Sequence, residues 1–377
     1  MSIWLPLLLH LSVCTGVACV SLRFSSHVEQ SRPSLHEPVD PEIYMNAAKL
    51  ITSKGYPCEE HWTTTDDGYI LNMQRIPRGK RSRDTGINSC RFSPSCKVIR
   101  QLTFTQVAMT KYTLLEYSWD EMAKSDLKAM FDYILTYTEH NDLYYVGHSQ
   151  GTLIGFAGFS SSFELASKVR TFFALGPVTT VGSIKSPIRY LAPFSHEIEF
   201  LVDLLGHGEF LPNDEIMKWL ARGICNDGVI LCENVFFLLG GFDKSQINES
   251  RVPVYVAHNP AGTSTKNMVH FAQQVLSNKF QMFDYGSSEE NMKHYNQSKA
   301  PLYNLDNMYN SVALFWGDMD WLADPKDVEG LIPKIRNLVV NKQIQAWDHF
   351  DFIWGMDAPT VCYKDIIKLI RKKENWE

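Results

Sequence analysis

Apolar positions along this chain follow two spacings, short runs of the kind that form strands and longer stripes at helical intervals. The run Tyr69 to Ile76 follows the turn residues Asp66-Asp67-Gly68 and predicts a hairpin. Ser118 opens a helix, because Glu121 three residues on completes a capping box. Leu127, Met130, Phe131 and Ile134 then form an apolar helical stripe. Leu143-Tyr144-Tyr145-Val146 predicts a short buried strand, and 152–158 a helix whose small residues allow close packing on a sheet. Val169 to Leu175 predicts the next strand.

From Pro177 to about Lys299 the pattern turns helical. Ile198, Leu201, Val202 and Leu205 make one apolar face, Ile216, Trp219 and Leu220 another, and 235–239 is a compact apolar run. The strand pattern resumes at 312–316 and 337–344, and a final helix is predicted at about 360–371. Strands alternating with helices predict an α/β fold with a mostly parallel sheet. Its reactive groups should lie at the carboxyl ends of strands.

Composition adds bounds. At 377 residues the chain has room for one large domain with an insertion, or for two domains. With 45% hydrophobic, 12% aromatic and 21% charged residues it is an ordinary globular chain, and its net charge of -6 offers no basic field to nucleic acid. The basic cluster Arg78, Lys80, Arg81 and Arg83 reads as a solvated loop.

Residues 1–20 are apolar, broken by Pro6 and His10, and end in small residues around Val17-Ala18-Cys19, which predicts a signal peptide and a secreted or lysosomal protein. A retained anchor is the rival reading. No later stretch approaches the roughly 20 apolar residues that span a bilayer. Asn248-Glu249-Ser250 and Asn296-Gln297-Ser298 are candidate glycosylation sites. Beyond the leader stand Cys58, Cys90, Cys96, Cys225, Cys232 and Cys362, an even set able to pair in an oxidising compartment. Cys225 with Cys232 and Cys90 with Cys96 are close enough in sequence to do so. There is no CxxC pair, HExxH or His/Cys cluster, so no metal or other cofactor is expected.

The chemistry centres on Gly147-His148-Ser149-Gln150-Gly151. It has the G-x-S-x-G form of a nucleophile elbow, with a predicted strand before it and a helix after it. A serine hydroxyl needs a base to take its proton and a carboxylate to fix that base's tautomer. The strand at 312–316 leads to Asp320, and the one at 337–344 leads to His349, in the order Ser, Asp, His of such enzymes. Asp318, Asp324, Asp348 and Asp351 are competing acids whose ordinary reading is surface or capping. His148 is expected to shape the pocket wall, and His258, His270 and His294 are read as structural.

Several stretches carry a resemblance to the acid lipase family that includes gastric and lysosomal acid lipases. They include Gly55-Tyr56-Pro57-Cys58-Glu59-Glu60, Thr65-Asp66-Asp67-Gly68-Tyr69-Ile70-Leu71 and Tyr145-Val146-Gly147-His148-Ser149-Gln150-Gly151-Thr152. His258-Asn259-Pro260-Ala261-Gly262-Thr263-Ser264, Leu322-Ala323-Asp324-Pro325 and His349-Phe350-Asp351-Phe352-Ile353-Trp354 extend it over most of the chain. The resemblance implies an α/β-hydrolase that cleaves lipid esters at a lipid–water interface through an acyl-enzyme. Triacylglycerols or cholesteryl esters are the implied substrates. Ser149 would be the nucleophile, Asp320 the orienting acid and His349 the base. It divides the chain into core at 21–177, a helical cap with a lid at 178–300, and core again at 301–377. It also makes Cys225 and Cys232 similar to the family's cap disulfide.

Between Lys80 and Tyr117 the resemblance stops. The family places there a strand ending in H-G-L, which completes the oxyanion hole, then a helix and a second strand. This chain has no H-G-L before the serine. Residues 97–109 predict one strand at most, around Val98, Leu102, Phe104 and Val107. Gln150 N–H is then the one oxyanion donor that can be assigned, and the ladder beside the elbow strand should be broken. A catalytically impaired lipid-binding or interaction protein is the alternative, and a peptidase or thioesterase of the same fold a weaker one.

Overall fold

The computed structural model describes residues 39–80, 116–195, 239–241, 243–259 and 261–374, together with Phe237 and short backbone pairings at 14–15, 18–19, 105–107 and 209–210. The expected signal peptide apart from 14–15 and 18–19, Cys90, Cys96, Cys225, Cys232 and the faces at 198–205 and 216–220 lie outside the described residues.

Four parallel strands form the centre of the fold. They are β4 (Leu143–His148), β5 (Val169–Leu175), β6 (Ser311–Gly317) and β7 (Leu338–Ile344), in the spatial order β7-β6-β5-β4. Successive side chains of a strand point to opposite faces, and both faces here are covered. Phe172, Ala174, Leu314 and Trp316 pack with Leu127 and Phe131 of α1 (Leu127–Thr138), Phe156 and Phe159 of α2 (Gln150–Ser161) and Val328. Phe173, Leu175, Ala313 and Phe315 pack on the other side with Trp347, Phe352 and Ile366. The predicted stripe on α1 is buried at Leu127 and Phe131, and the capping box of Ser118 with Glu121 is formed.

A second sheet is antiparallel. β1 (Glu59–Thr64) and β2 (Ile70–Arg75) make the expected hairpin, and β3 (Thr105–Val107) pairs with the far edge of β2. Gly68 takes a φ of +91° in the turn, a value that glycine alone adopts without strain.

One expectation needs correcting. β4 is not a fully buried strand: Val146 is 37% exposed, and 143–145 are only partly covered. Its apolar sequence does not differ in kind from that of β5, but its position does. Among the described residues β4 pairs with β5 on one side and with no strand on the other. Among the described residues no strand joins the parallel sheet to the antiparallel one.

Between β5 and β6 the described chain is helices joined by loops, with a two-residue pairing of Glu209–Phe210 with Thr263–Ser264 and a single bridge between Gln281 and Leu302. Its longest helix, α3 (Thr265–Ser277), is capped by Ser264, whose hydroxyl accepts Asn267 N–H at 3.0 Å. The final helix, α5 (Lys364–Lys373), follows α4 (Pro325–Leu331) and β7. No described helix is long and apolar enough to cross a membrane.

Candidate active site

Three strand ends meet at one point. Ser149 stands between β4 and α2 with φ +54° and ψ −121°, a strained combination for a residue with a side chain. The turn is tight because a Cβ on Gly147 would lie 2.7 Å from the Gly151 carbonyl oxygen. Gly155, farther along α2, lets the helix sit on the sheet, since a Cβ there would meet the Phe172 ring at 2.8 Å.

Asp320 follows β6 and is fully buried. Its Oδ1 accepts the backbone N–H groups of Leu322 at 2.9 Å and Ala323 at 2.7 Å, so the loop fixes the carboxylate. His349 follows β7 and is also buried. Its Nδ1 lies 2.9 Å from Asp320 Oδ2, and its Nε2 lies 2.7 Å from Ser149 Oγ. A carboxylate only accepts, so the proton sits on Nδ1, and Nε2 is left to accept the Ser149 hydroxyl proton. The chain therefore joins Ser149, His349 and Asp320 in one line of hydrogen bonds.

The competing groups are engaged elsewhere. Asp318 accepts Ala346 N–H at 2.6 Å. Asp324 caps α4 through Lys326 N–H and pairs with Lys185. Asp348 accepts Phe350 N–H, and Asp351 accepts Asp348 N–H. His270 is stacked on Trp119 at 4.0 Å and bonded to Ser118 Oγ and the Gln281 carbonyl. His258 is bonded to the Glu42 carbonyl, and His294 is stacked on Tyr285 at 3.6 Å. Burial pushes His270 down to about 3, as it does His148, so both rings stay neutral.

Gln150 is the first residue of α2, and the first four N–H groups of a helix have no partner within it. Its side-chain Oε1 accepts Asn267 Nδ2–H at 2.9 Å, and its Nε2 lies 3.2 Å from Met122 Sδ. The side chain is thereby drawn toward α3 and away from Ser149 Oγ. Sequence reasoning missed Asn267, and it missed Gly176 at the end of β5. Gly176 has φ +54°, and a Cβ there would meet Asp320 Oδ2 and His349 Nδ1 at 3.4 Å. A glycine directly after an apolar strand was the available signal.

Cys58 and Cys362 are both free thiols, the second buried. Asn248 and Asn296 are both exposed. Among the described residues no group of three or more acidic, His or Cys side chains is arranged to hold a metal ion.

Comparison with known proteins gives consistent findings. The family model described as a partial alpha/beta-hydrolase lipase region matches residues 47–99. Human lysosomal acid lipase/cholesteryl ester hydrolase is 41% identical over 393 aligned positions, spanning 94% of this chain and 98% of that protein. Human gastric triacylglycerol lipase is 39% identical over 370 positions, spanning 88% and 92%. Human lipase member K is 38% identical with the same coverage. Since 94% of 377 residues is fewer than 393, the match to the lysosomal relative runs across gaps in this chain.

Proposed function

The chain belongs to the acid lipase family, and on that premise we propose that it is a serine ester hydrolase acting on neutral lipids, triacylglycerol or cholesteryl ester. The observation that carries the reading is the line Ser149–His349–Asp320, with 2.7 Å and 2.9 Å between the interacting atoms.

His349 Nε2 takes the Ser149 proton as Oγ attacks the ester carbonyl carbon. The carbonyl electrons move to oxygen, and Gln150 N–H donates to that oxyanion. The tetrahedral species collapses with loss of the alcohol, which leaves with the proton from His349. A water then attacks the acyl-serine, giving its proton to His349, and the second collapse releases the fatty acid and restores Ser149. Asp320 keeps the imidazole in its working tautomer and stabilises the imidazolium formed in each half.

Residues 178–300 act as the cap in this reading, with the acyl pocket beneath it at a lipid–water interface. The leader at 1–20 and the exposed sequons at Asn248 and Asn296 support a secreted or lysosomal route.

A second reading rests on β4. With no H-G-L segment, the second oxyanion donor is unassigned, and one lost donor typically costs about 10²–10³ in turnover. The same shortening leaves the nucleophile strand at a sheet edge among the described residues. The chain would then bind lipid without turning it over. Labelling with a fluorophosphonate, with Ser149→Ala as control, separates the two. Labelled protein that hydrolyses short-chain esters supports the enzyme, and folded protein that does neither supports the binder.

A further inference from the structure

The loops that carry Asp320 and His349 leave two different strands, and a third segment passes between them. The carbonyl oxygen of Gly240 accepts the N–H of Trp321 at 3.0 Å and the N–H of His349 at 3.3 Å. One oxygen thus receives the amide beside the acid and the amide of the base itself. Gly241 N–H closes the segment on itself by donating to the Phe237 carbonyl at 3.0 Å.

Neither glycine has room for a side chain. A Cβ on Gly240 would lie 2.4 Å from Phe350 Cε2, next in sequence to His349. A Cβ on Gly241 would lie 2.2 Å from the Met319 carbonyl oxygen and 2.8 Å from Asp348 Cβ, neighbours of the acid and the base. Gly241 also has φ +126°, where a side chain is strained whatever the space. Substitution would therefore push on both loops at once.

We propose that Gly240–Gly241 is a positioning element for the hydrolysis, a strap whose shared carbonyl sets the spacing of Asp320 from His349. The proposal rests on the triad reading above. The two glycines touch no substrate; they act through the acid and the base. They differ in what a methyl would meet. At Gly240 it is the edge of the Phe350 ring, stacked on Trp354 and next in sequence to His349, so the ring gives way at the expense of the base loop. At Gly241 it is main chain, so the acid loop itself has to move.

The test uses the full-length protein and the variants Gly240→Ala, Gly241→Ala, Gly240→Ala with Phe350→Leu, and Gly330→Ala. Gly330 has nothing within 4 Å of its added Cβ and controls for the substitution itself. With p-nitrophenyl butyrate, Gly241→Ala should lower kcat about a hundredfold, the usual cost of a misplacement near 1 Å, with KM little changed. Gly240→Ala should also lose kcat, and adding Phe350→Leu should restore most of it. Gly330→Ala should match wild type. If Gly241→Ala does not fold, the Gly240 pair decides: loss followed by rescue supports the strap. Folded glycine variants with wild-type kcat, or no rescue, would overturn it.

Failure of the triad reading is separable. Wild type that neither hydrolyses nor labels refutes that reading, and the low-field NMR proton shared by His349 Nδ1 and Asp320 then tests the strap alone. Its loss in Gly241→Ala and retention in Gly330→Ala support the strap; its persistence in both overturns it.

Discussion

His148 Nε2 lies 2.9 Å from the carbonyl oxygen of His349, so the residue before Ser149 holds the backbone of His349. The acceptor is a carbonyl, which fixes the proton on Nε2 of His148. The two rings are 4.8 Å apart, and burial, followed by the nearby His349, pushes His148 down to about 3. A neutral donor is what the contact needs. The ring expected to line a pocket wall is a tie between the elbow and the base loop.

Replacing that donor should therefore slow the chemistry. His148→Phe is expected to lower kcat on the order of 10- to 100-fold through misplacement of His349. His148→Gln, which keeps an N–H donor of similar reach, should recover part of it. Steady-state kinetics on a short-chain ester check this, and equal kcat in both variants would show that the tie is idle.

The acids can be told apart by substitution. Asp320→Asn offers an amide in place of one carboxylate oxygen and favours the wrong imidazole tautomer, for which a kcat loss on the order of 10⁴ is expected. Asp324→Ala removes the cap that accepts Lys326 N–H, so its cost should fall on stability, about 1 kcal/mol, rather than on turnover. Parallel kcat and thermal-melt measurements decide between the two carboxyls.

Stability should rise on mild acidification. Burial pushes Asp120 and Asp126 up to about 7. Asp351 is raised by burial and then by the Asp348 charge, and Asp348 is raised mainly by burial. Unfolded aspartates release their protons near pH 4, so between pH 8 and 6.5 these aspartates take up protons in the folded chain alone. The contribution is fully present below the unfolded value and fades as pH climbs through the folded ones. His148 and His270 act oppositely, since unfolded histidine is half charged by about pH 6.5, but two rings offset only part of the gain from the aspartates above that pH. Tm should therefore be higher at pH 6.5 than at pH 8, and Asp351→Asn should flatten the slope. A Tm that drops over that interval contradicts the assignment.

Both sequons should carry glycan when the chain passes through a secretory pathway. Asn248 is exposed, and its Oδ1 is held by Ser250 N–H and Oγ–H, which leaves its Nδ2 open to an acceptor role. Asn296 stands exposed at a helix end with φ +55°. Asn248→Gln and Asn296→Gln should each remove one step of the mass shift seen on glycosidase treatment. A wild-type mass unaffected by the glycosidase would rule out both.

Much of this geometry could be read from residues alone. The runs at 172–175 and 312–316 are apolar at every position because both faces of a central parallel strand are covered. Ser149, Asp320 and His349 each stand beyond a strand whose pattern was clear. What escaped were effects created by the neighbours. Leu143–His148 has the sequence of an inner strand and the exposure of an edge, and no residue within it records which strand is missing beside it. The carbonyl of Gly240 carries no signature, since every residue has one; only the pair of glycines after 235–239 marked a place where main chain had to come close. Asn267 reaches Gln150 across 117 positions, beyond any periodic pattern.

That β4 has no partner strand on one side among the described residues has a consequence for handling the protein. An unpaired strand edge is a template for other strands, and natural edges are guarded by lysine, proline or a bulge that turns them away. Leu-Tyr-Tyr-Val-Gly-His contains neither lysine nor proline. Among the described residues, the six that lead to Ser149 therefore form an edge open to self-association, which is predicted to grow as the solution is concentrated.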